Sequence, residues 1–267
     1  MKNILTILLA LVIISGNAQD LNKFKRVFFK TTTEQFEDFD VIIEDALAVD
    51  ESCKFKMRIK NKSPHILILR PHLIEFMLNG VGYKPMEKDM IVAPFDEVSK
   101  VINVGASIFR TQEFQLKLAG FNVAKTAGFV DAPSFKLPVS QNYFEVGDFK
   151  VTQVNNEKKT DVVVVKFSAQ YQGNDVGVIY TEEAALKFPN GSEFANMKGK
   201  GKPIVLERGA TKNFTTAWTK IPVSNGDAQF TNLEILWRKA FNNAKLTELP
   251  VRTITMQWDP ALTAAKK

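Results

Sequence analysis

His65 and His72 are the only imidazoles in a chain of 267 residues, and Cys53 is its only thiol. Nucleophilic catalysis would need one of these histidines beside a hydroxyl or thiol. No Gly-x-Ser-x-Gly elbow is present. The dipeptides Pro64-His65 and Pro71-His72 place both imidazoles in turns or at strand edges. Two histidines are too few for a three-His zinc site, and one cysteine excludes both a disulfide framework and cysteine-rich zinc motifs. The acidic set Asp38, Asp40, Glu44, Asp45, Asp50 and Glu51 could meet calcium, but no EF-hand order organises it. Paired carboxylates for glycoside hydrolysis carry no weight among 29 acidic residues. No catalytic residue, metal ligand or cofactor is expected.

The basic residues are more suggestive. Lys198-Gly199-Lys200-Gly201-Lys202-Pro203 lacks the order of a phosphate-binding loop and precedes no helical pattern. It reads as a flexible hairpin tip whose lysines, Lys198, Lys200 and Lys202, are candidates for contact with an anionic polymer. The chain carries 35 basic and 29 acidic residues. Residues 36–124 hold 11 basic against 13 acidic residues, and 143–253 hold 15 against 12, so the basicity is mild and spread out. A nucleic-acid binder would concentrate it in a stripe with interleaved aromatics, so nucleic acid is not expected as a partner. Trp218, Trp237 and Trp258 could stack on sugars, but each lies in or after an apolar alternation that reads as core.

The elements that must position these residues are strands. In residues 53–60, Cys53, Phe55, Met57 and Ile59 share one face, and Lys54, Lys56, Arg58 and Lys60 share the other, the period of a half-buried antiparallel strand. Residues 39–47 alternate likewise, with Asp50-Glu51-Ser52 as the turn. Pairing 44 with 58 and 40 with 62 sets apolar on apolar and acid on base. It yields a structural ion ladder of Asp40, Glu44, Arg58 and Lys62. Strands at 66–70 and 72–78 lead to Asn79-Gly80, a strong hairpin signal. Others are expected at 89–92, 98–104, 112–118 and 120–123. Residues 234–246 read as a strand, LEILW, and a turn rather than a helix.

The plan recurs about 110 residues later. Phe149-Lys150-Val151 follows Phe39-Asp40-Val41; residues 161–171 follow 53–60; Asn190-Gly191 follows Asn79-Gly80. Asn155 to Lys159 reads as the intervening turn. The organisation expected is a signal peptide over 1–18, a lead-in over 19–35 able to add an edge strand, and a β-sandwich over 36–124. A linker over 125–142, a second sandwich over 143–258 and a tail over 259–267, too short for a stable helix, complete it. The signal peptide rests on Lys2, the apolar run Ile4 to Ile14, and small residues Gly16 and Ala18 before a cleavage site. No later stretch approaches the roughly 20 apolar residues of a membrane helix. An exported chain is expected, periplasmic or extracellular, with no transmembrane span after cleavage.

The fold class expected is all-β, two tandem immunoglobulin-like antiparallel β-sandwiches. Residues 54–85 resemble the middle of such a sandwich, in particular the telokin-like and late-embryogenesis-type domains of exported bacterial proteins. The resemblance rests on the alternating strand, the turn Lys60-Asn61-Lys62-Ser63, a second strand, then Gly80 and Tyr83. The second repeat lacks the Asn-x-Ser turn. The resemblance implies a fold, an exported location and a non-catalytic role. The function expected is a non-enzymatic binding or assembly module of the bacterial cell envelope, with an envelope protein or polysaccharide as partner. The alternative is a carbohydrate- or polyanion-binding module, and a hydrolase with a cryptic site is a distant third.

Overall fold

The computed structural model describes residues 21–106, 110–198 and 202–266. The expected signal peptide and Lys200 lie outside the described residues. The protein is all-β, and its strands pair antiparallel throughout five sheets. In the first half, one sheet runs in the order Val27–Phe28, Phe39–Ala48, Cys53–Asn61, Glu97–Val104, with Thr32–Gln35 also paired to Phe39–Ala48. Its partner sheet runs Arg252–Gln257, Glu113–Leu118, Glu75–Leu78, Val81–Tyr83. In the second half, Tyr143–Val146, Phe149–Lys159, Val162–Tyr171 and Thr211–Thr219 form one sheet. Phe135–Leu137, Leu233–Leu236, Ala185–Lys187 and Glu193–Ala195 form another.

Alternation decides which face is buried. Cys53, Phe55, Met57 and Ile59 are all within 1% of full burial, while Lys54 and Lys60 are exposed. The sheets of each half meet through aromatic rings. Phe55 stacks on Phe76 at 5.2 Å in the first half, and Phe135 meets Phe167 edge-on at 5.4 Å in the second. Each fully buried phenylalanine contributes about 1.5–3 kcal/mol of transfer free energy, which accounts for the concentration of this residue type in the two cores.

A six-stranded sheet joins the halves, in the order Ile204–Glu207, Val176–Ile179, Phe241–Glu248, Phe121–Val130, Ile66–Leu69, Met90–Val92. Arg70 and Glu207 form an ion pair although their strands stand four positions apart. That is about 19 Å in a flat sheet, so the sheet must coil to bring these corners together. Its inner face carries a third cluster that includes Ile66, Ile68, Val176, Val178, Val205 and Ala244.

Four sequence expectations are corrected. The Phe39–Ala48 and Cys53–Asn61 strands pair 44 with 56 and 40 with 60, two residues from the expected register. A bulge between Glu44 and Leu47, with Asp45 at φ 54°, allows the tighter closure of Ala48 on Cys53. A two-residue slip preserves both faces, so Ile59, expected opposite Ile43, still meets an apolar partner in Val41. Residues 155–159, expected as a turn, continue the strand to Lys159, because Val162–Val165 pair with them. The expected linker is also structured: residues 121–130 form one strand, and Phe135–Leu137 joins a second-half sheet.

The fourth correction concerns the C-terminus. Arg252–Gln257, expected in the second sandwich, pairs with Glu113–Leu118 of the first over six residues. Phe135–Leu137 holds the equivalent place in the second half. The expected tail then forms a helix, Pro260–Ala265, started by the Asp259 carboxylate accepting from the Leu262 amide at 2.8 Å. Docking offsets the weakness of so short a helix. Thr263 Oγ1 accepts from the Phe28 amide and from Trp258 Nε1, both at 3.0 Å.

Candidate functional site

The internal repeat locates a pair of equivalent grooves. In the second half, three strands place Lys136, Glu234 and Lys187 side by side on the outer face, Glu234 in register with both lysines. Their chain neighbours Phe135, Ile235 and Leu186 point into the core. With Pro138, Phe188 and Pro189 near the Asn190-Gly191 turn, this row borders a groove of about 610 Å³. Ser134 Oγ donates to the Glu234 carboxylate. A second recess of about 490 Å³ opens on the other side of Lys136, towards Ser140–Glu145.

In the first half the same three positions are Thr255, Gln115 and Met77, again in register. They border a groove of about 370 Å³ beside Asn79-Gly80. One architecture thus occurs twice, lined by a neutral row in the first half and by two ammonium groups flanking a carboxylate in the second. A row of this kind, with one net positive charge, can hydrogen-bond a polar or anionic group that approaches either lysine from the side away from Glu234. Sequence reading missed these residues, because lysine and glutamate on alternate strand positions look like an ordinary solvated face. The available signal was the position of Lys187 just before Asn190-Gly191, where the first repeat has Met77 before Asn79-Gly80.

The residues singled out from sequence are distributed as follows. Lys198 and Lys202 are exposed. The base of their loop is anchored by buried Asn196, whose Nδ2 donates to the Thr181 and Lys198 carbonyls at 2.8 and 2.9 Å. Its Oδ1 accepts from the Lys198 and Ala217 amides at 3.1 and 2.7 Å. Lys62 Nζ lies 2.8 Å from Asp40, and Arg58 lies 3.5 Å from Glu44, both diagonal to the observed register. Lys56 takes the direct place opposite Glu44, at 2.8 Å. Its hydrogen bond, followed by the charge of Arg58, holds the Glu44 carboxyl below the usual range against the opposing effect of burial.

Asn61, in the turn on which the resemblance rests, is buried. Its Nδ2 donates to the His65 and Ala93 carbonyls at 2.6 and 3.0 Å, and its Oδ1 accepts from the amide and hydroxyl of Ser63. In the second repeat Tyr171 replaces it, and the rings of Tyr171 and Phe149 occupy the space beside Gly177. A Cβ there would meet them at 2.5–2.6 Å.

His72 Nδ1 stands 4.0 Å from Asp89, and His65 belongs to the Asn61 turn. Cys53 is wholly buried, and burial pushes its thiol pKa far up. Trp218 and Trp237 are core residues at 1% exposure, which removes two rings from any sugar platform. Trp258 is half-buried and tied to Thr263. Among the described residues, no group of three or more His, Cys, Asp or Glu side chains could hold a metal ion, and no helix is long and apolar enough to cross a membrane.

No family model matches the chain, and no curated protein matches it. Solved structures align only loosely. A transglutaminase from red sea bream matches at 8% identity and TM-score 0.19, over 83% of this chain and 31% of that one. A conserved domain protein from Bacillus anthracis matches at 8% identity and TM-score 0.21, over 90% of this chain and 93% of that one. A secreted serine protease from Vibrio cholerae matches at 6% identity and TM-score 0.22, over 87% and 53%. This chain thus spans less than a third of the transglutaminase and about half of the protease.

Proposed function

We propose that the protein is an exported, non-enzymatic binding module of the bacterial cell envelope, and that the second-half groove is its contact surface. The observation that supports this reading is the duplicated groove. The same strand row is built in both halves, and only the second carries Lys136, Glu234 and Lys187 around the larger recess. What distinguishes the second groove is its charged lining and larger volume, not the presence of a recess. The first-half groove then serves as the internal control.

The test is affinity capture from detergent-solubilised envelope at low and moderate salt. It compares the wild-type chain, a Lys136→Glu/Lys187→Glu variant and a Gln115→Glu/Thr255→Glu variant. One stoichiometric partner that survives moderate salt, is lost from the lysine variant and is kept by the control supports the reading. A turnover abolished by replacing His72 or Asp89 with folding intact would overturn it.

The polyanion reading draws on the exposed Lys198 and Lys202 and on the lysine pair of the groove. Binding confined to polysaccharide or lipid fractions, and lost as salt rises, would favour it.

A further inference from the structure

The two ends of the described chain are zipped together, and their junction is a one-signed cleft. Asp259 donates its amide to the Phe28 carbonyl at 2.8 Å, Lys30 donates to the Gln257 carbonyl at 2.8 Å, and Thr263 accepts from Phe28. This closure brings the lead-in Lys23–Arg26 beside the C-terminal end of helix Pro260–Ala265. Between them lies a recess of about 510 Å³ lined by Lys23, Phe24, Lys25, Arg26 and Lys266. Four of these five residues are exposed cations, Lys266 with its Nζ 5.0 Å from the centre of the Phe28 ring, and no carboxylate is among the described residues of the lining.

Two acids near this junction are engaged. Asp50 is ion-paired to Arg110, whose guanidinium also donates to the Lys25 carbonyl at 3.3 Å. Asp259 caps its helix through its carboxylate. Asp20 and Lys267 lie outside the described residues. Lys56, Arg58, Lys62, Lys84 and Lys117 each lie within ion-pair distance of a carboxylate. In the end cleft, Lys23, Lys25, Arg26 and Lys266 have no ion pair with a carboxylate among the described residues. A recess walled by one sign of charge focuses its field and concentrates counter-ions. Its volume falls within the range of small-ligand sites.

We propose that this cleft is a binding site for a phosphate-bearing anion. Arg26 offers the planar fork that matches tetrahedral oxyanions, while the lysines supply point charges round it. The phosphate could belong to a phospholipid headgroup or to a soluble phosphate chain, and the two sources share this chemistry. The site is separate from the groove and does not depend on the function proposed for it.

The experiment is titration of the chain with tripolyphosphate, together with sedimentation on vesicles of phosphatidylglycerol and phosphatidylcholine and on vesicles of phosphatidylcholine alone. Wild type is compared with Arg26→Glu/Lys266→Glu and with Lys54→Glu/Lys125→Glu, two exposed lysines in neither candidate site, which carries the same change in net charge elsewhere. The expected result is binding to one or both phosphate probes, weakened roughly tenfold or more in the first variant and unchanged in the second. Thermal melting should be the same for all three proteins. Binding to anionic vesicles but not to tripolyphosphate assigns the lipid source, and binding to tripolyphosphate assigns the soluble one. Failure of wild type to bind either probe, or equal loss in both variants, overturns the proposal. Arg26→Gln/Lys266→Gln provides a second, milder variant should the charge reversal disturb folding.

Discussion

Thr263 accepts a hydrogen bond from the backbone amide of Phe28 across 235 residues of sequence, and its hydroxyl oxygen is shared with the indole of Trp258. Both donors lie at the seam where the C-terminal strand joins Glu113–Leu118 in a first-half sheet. Thr263→Val should leave them without an acceptor, at a cost of about 1–3 kcal/mol. Thr263→Ser should restore most of it. Chemical denaturation checks the magnitude, and hydrogen exchange should place the added opening at residues 27–30 and 252–258.

Gly120 is fixed by a close approach. It sits at φ 81°, and a Cβ there would meet the Arg70 carbonyl at 2.6 Å. The same carbonyl–amide relation recurs in the second half, where Tyr180 donates to the Ala240 carbonyl as Arg70 donates to that of Gly120. Gly120→Ala should destabilise the protein by about 1–3 kcal/mol, read from the denaturant midpoint at unchanged slope.

Asn61 should be among the most sensitive polar residues. Asn61→Ala strips donors from two carbonyls and an acceptor from Ser63, for an expected loss of about 2–4 kcal/mol. Asn61→Asp should fail to rescue, because it cannot donate to the His65 and Ala93 carbonyls.

Stability should depend on pH through carboxylates of opposite sign. Glu75 is held below the usual range by hydrogen bonds from Lys117 and Lys84, as Glu44 is by Lys56. Their contribution is complete above the unfolded-state value and is lost as pH falls through the lowered ones. Glu182 behaves conversely, since burial and then the charge of Glu183 raise it, partly opposed by a backbone hydrogen bond. Its contribution is complete below the unfolded-state value and is lost as pH rises through the raised one. Glu182→Gln should therefore raise the melting temperature at neutral pH and leave it nearly unchanged in acid. Melting curves of wild type and variant across the carboxylate range test this; an equal shift at every pH would refute it.

Most strands and their facing were legible because they are local, although the turn expected at 155–159 and part of the linker expected at 125–142 are strand. Side chains alternate with a period of two, so the string from Cys53 to Lys60 names its buried face without reference to a partner. Asn79-Gly80 and Asn190-Gly191 announced their turns by the same local logic. The register was not legible, because a two-residue slip leaves every face unchanged, and only the bulge at Asp45 distinguishes pairing Glu44 with Lys56 from pairing it with Arg58. Nor does any alternation state which sheet a strand joins. Arg252–Gln257 carries the pattern of a second-half strand yet closes the first half, because Val27–Phe28 and Thr32–Gln35 are committed to the opposite sheet and leave the edge of Glu113–Leu118 open. Both candidate sites follow from such distant pairings. Lys136, Glu234 and Lys187 come from three separate strands, and Arg26 meets Lys266 only where the chain ends converge. The sequence by itself determined which residues face water; tertiary pairing decided which of those stand together, since the free energy of long-range closure belongs to contacts that no local window contains.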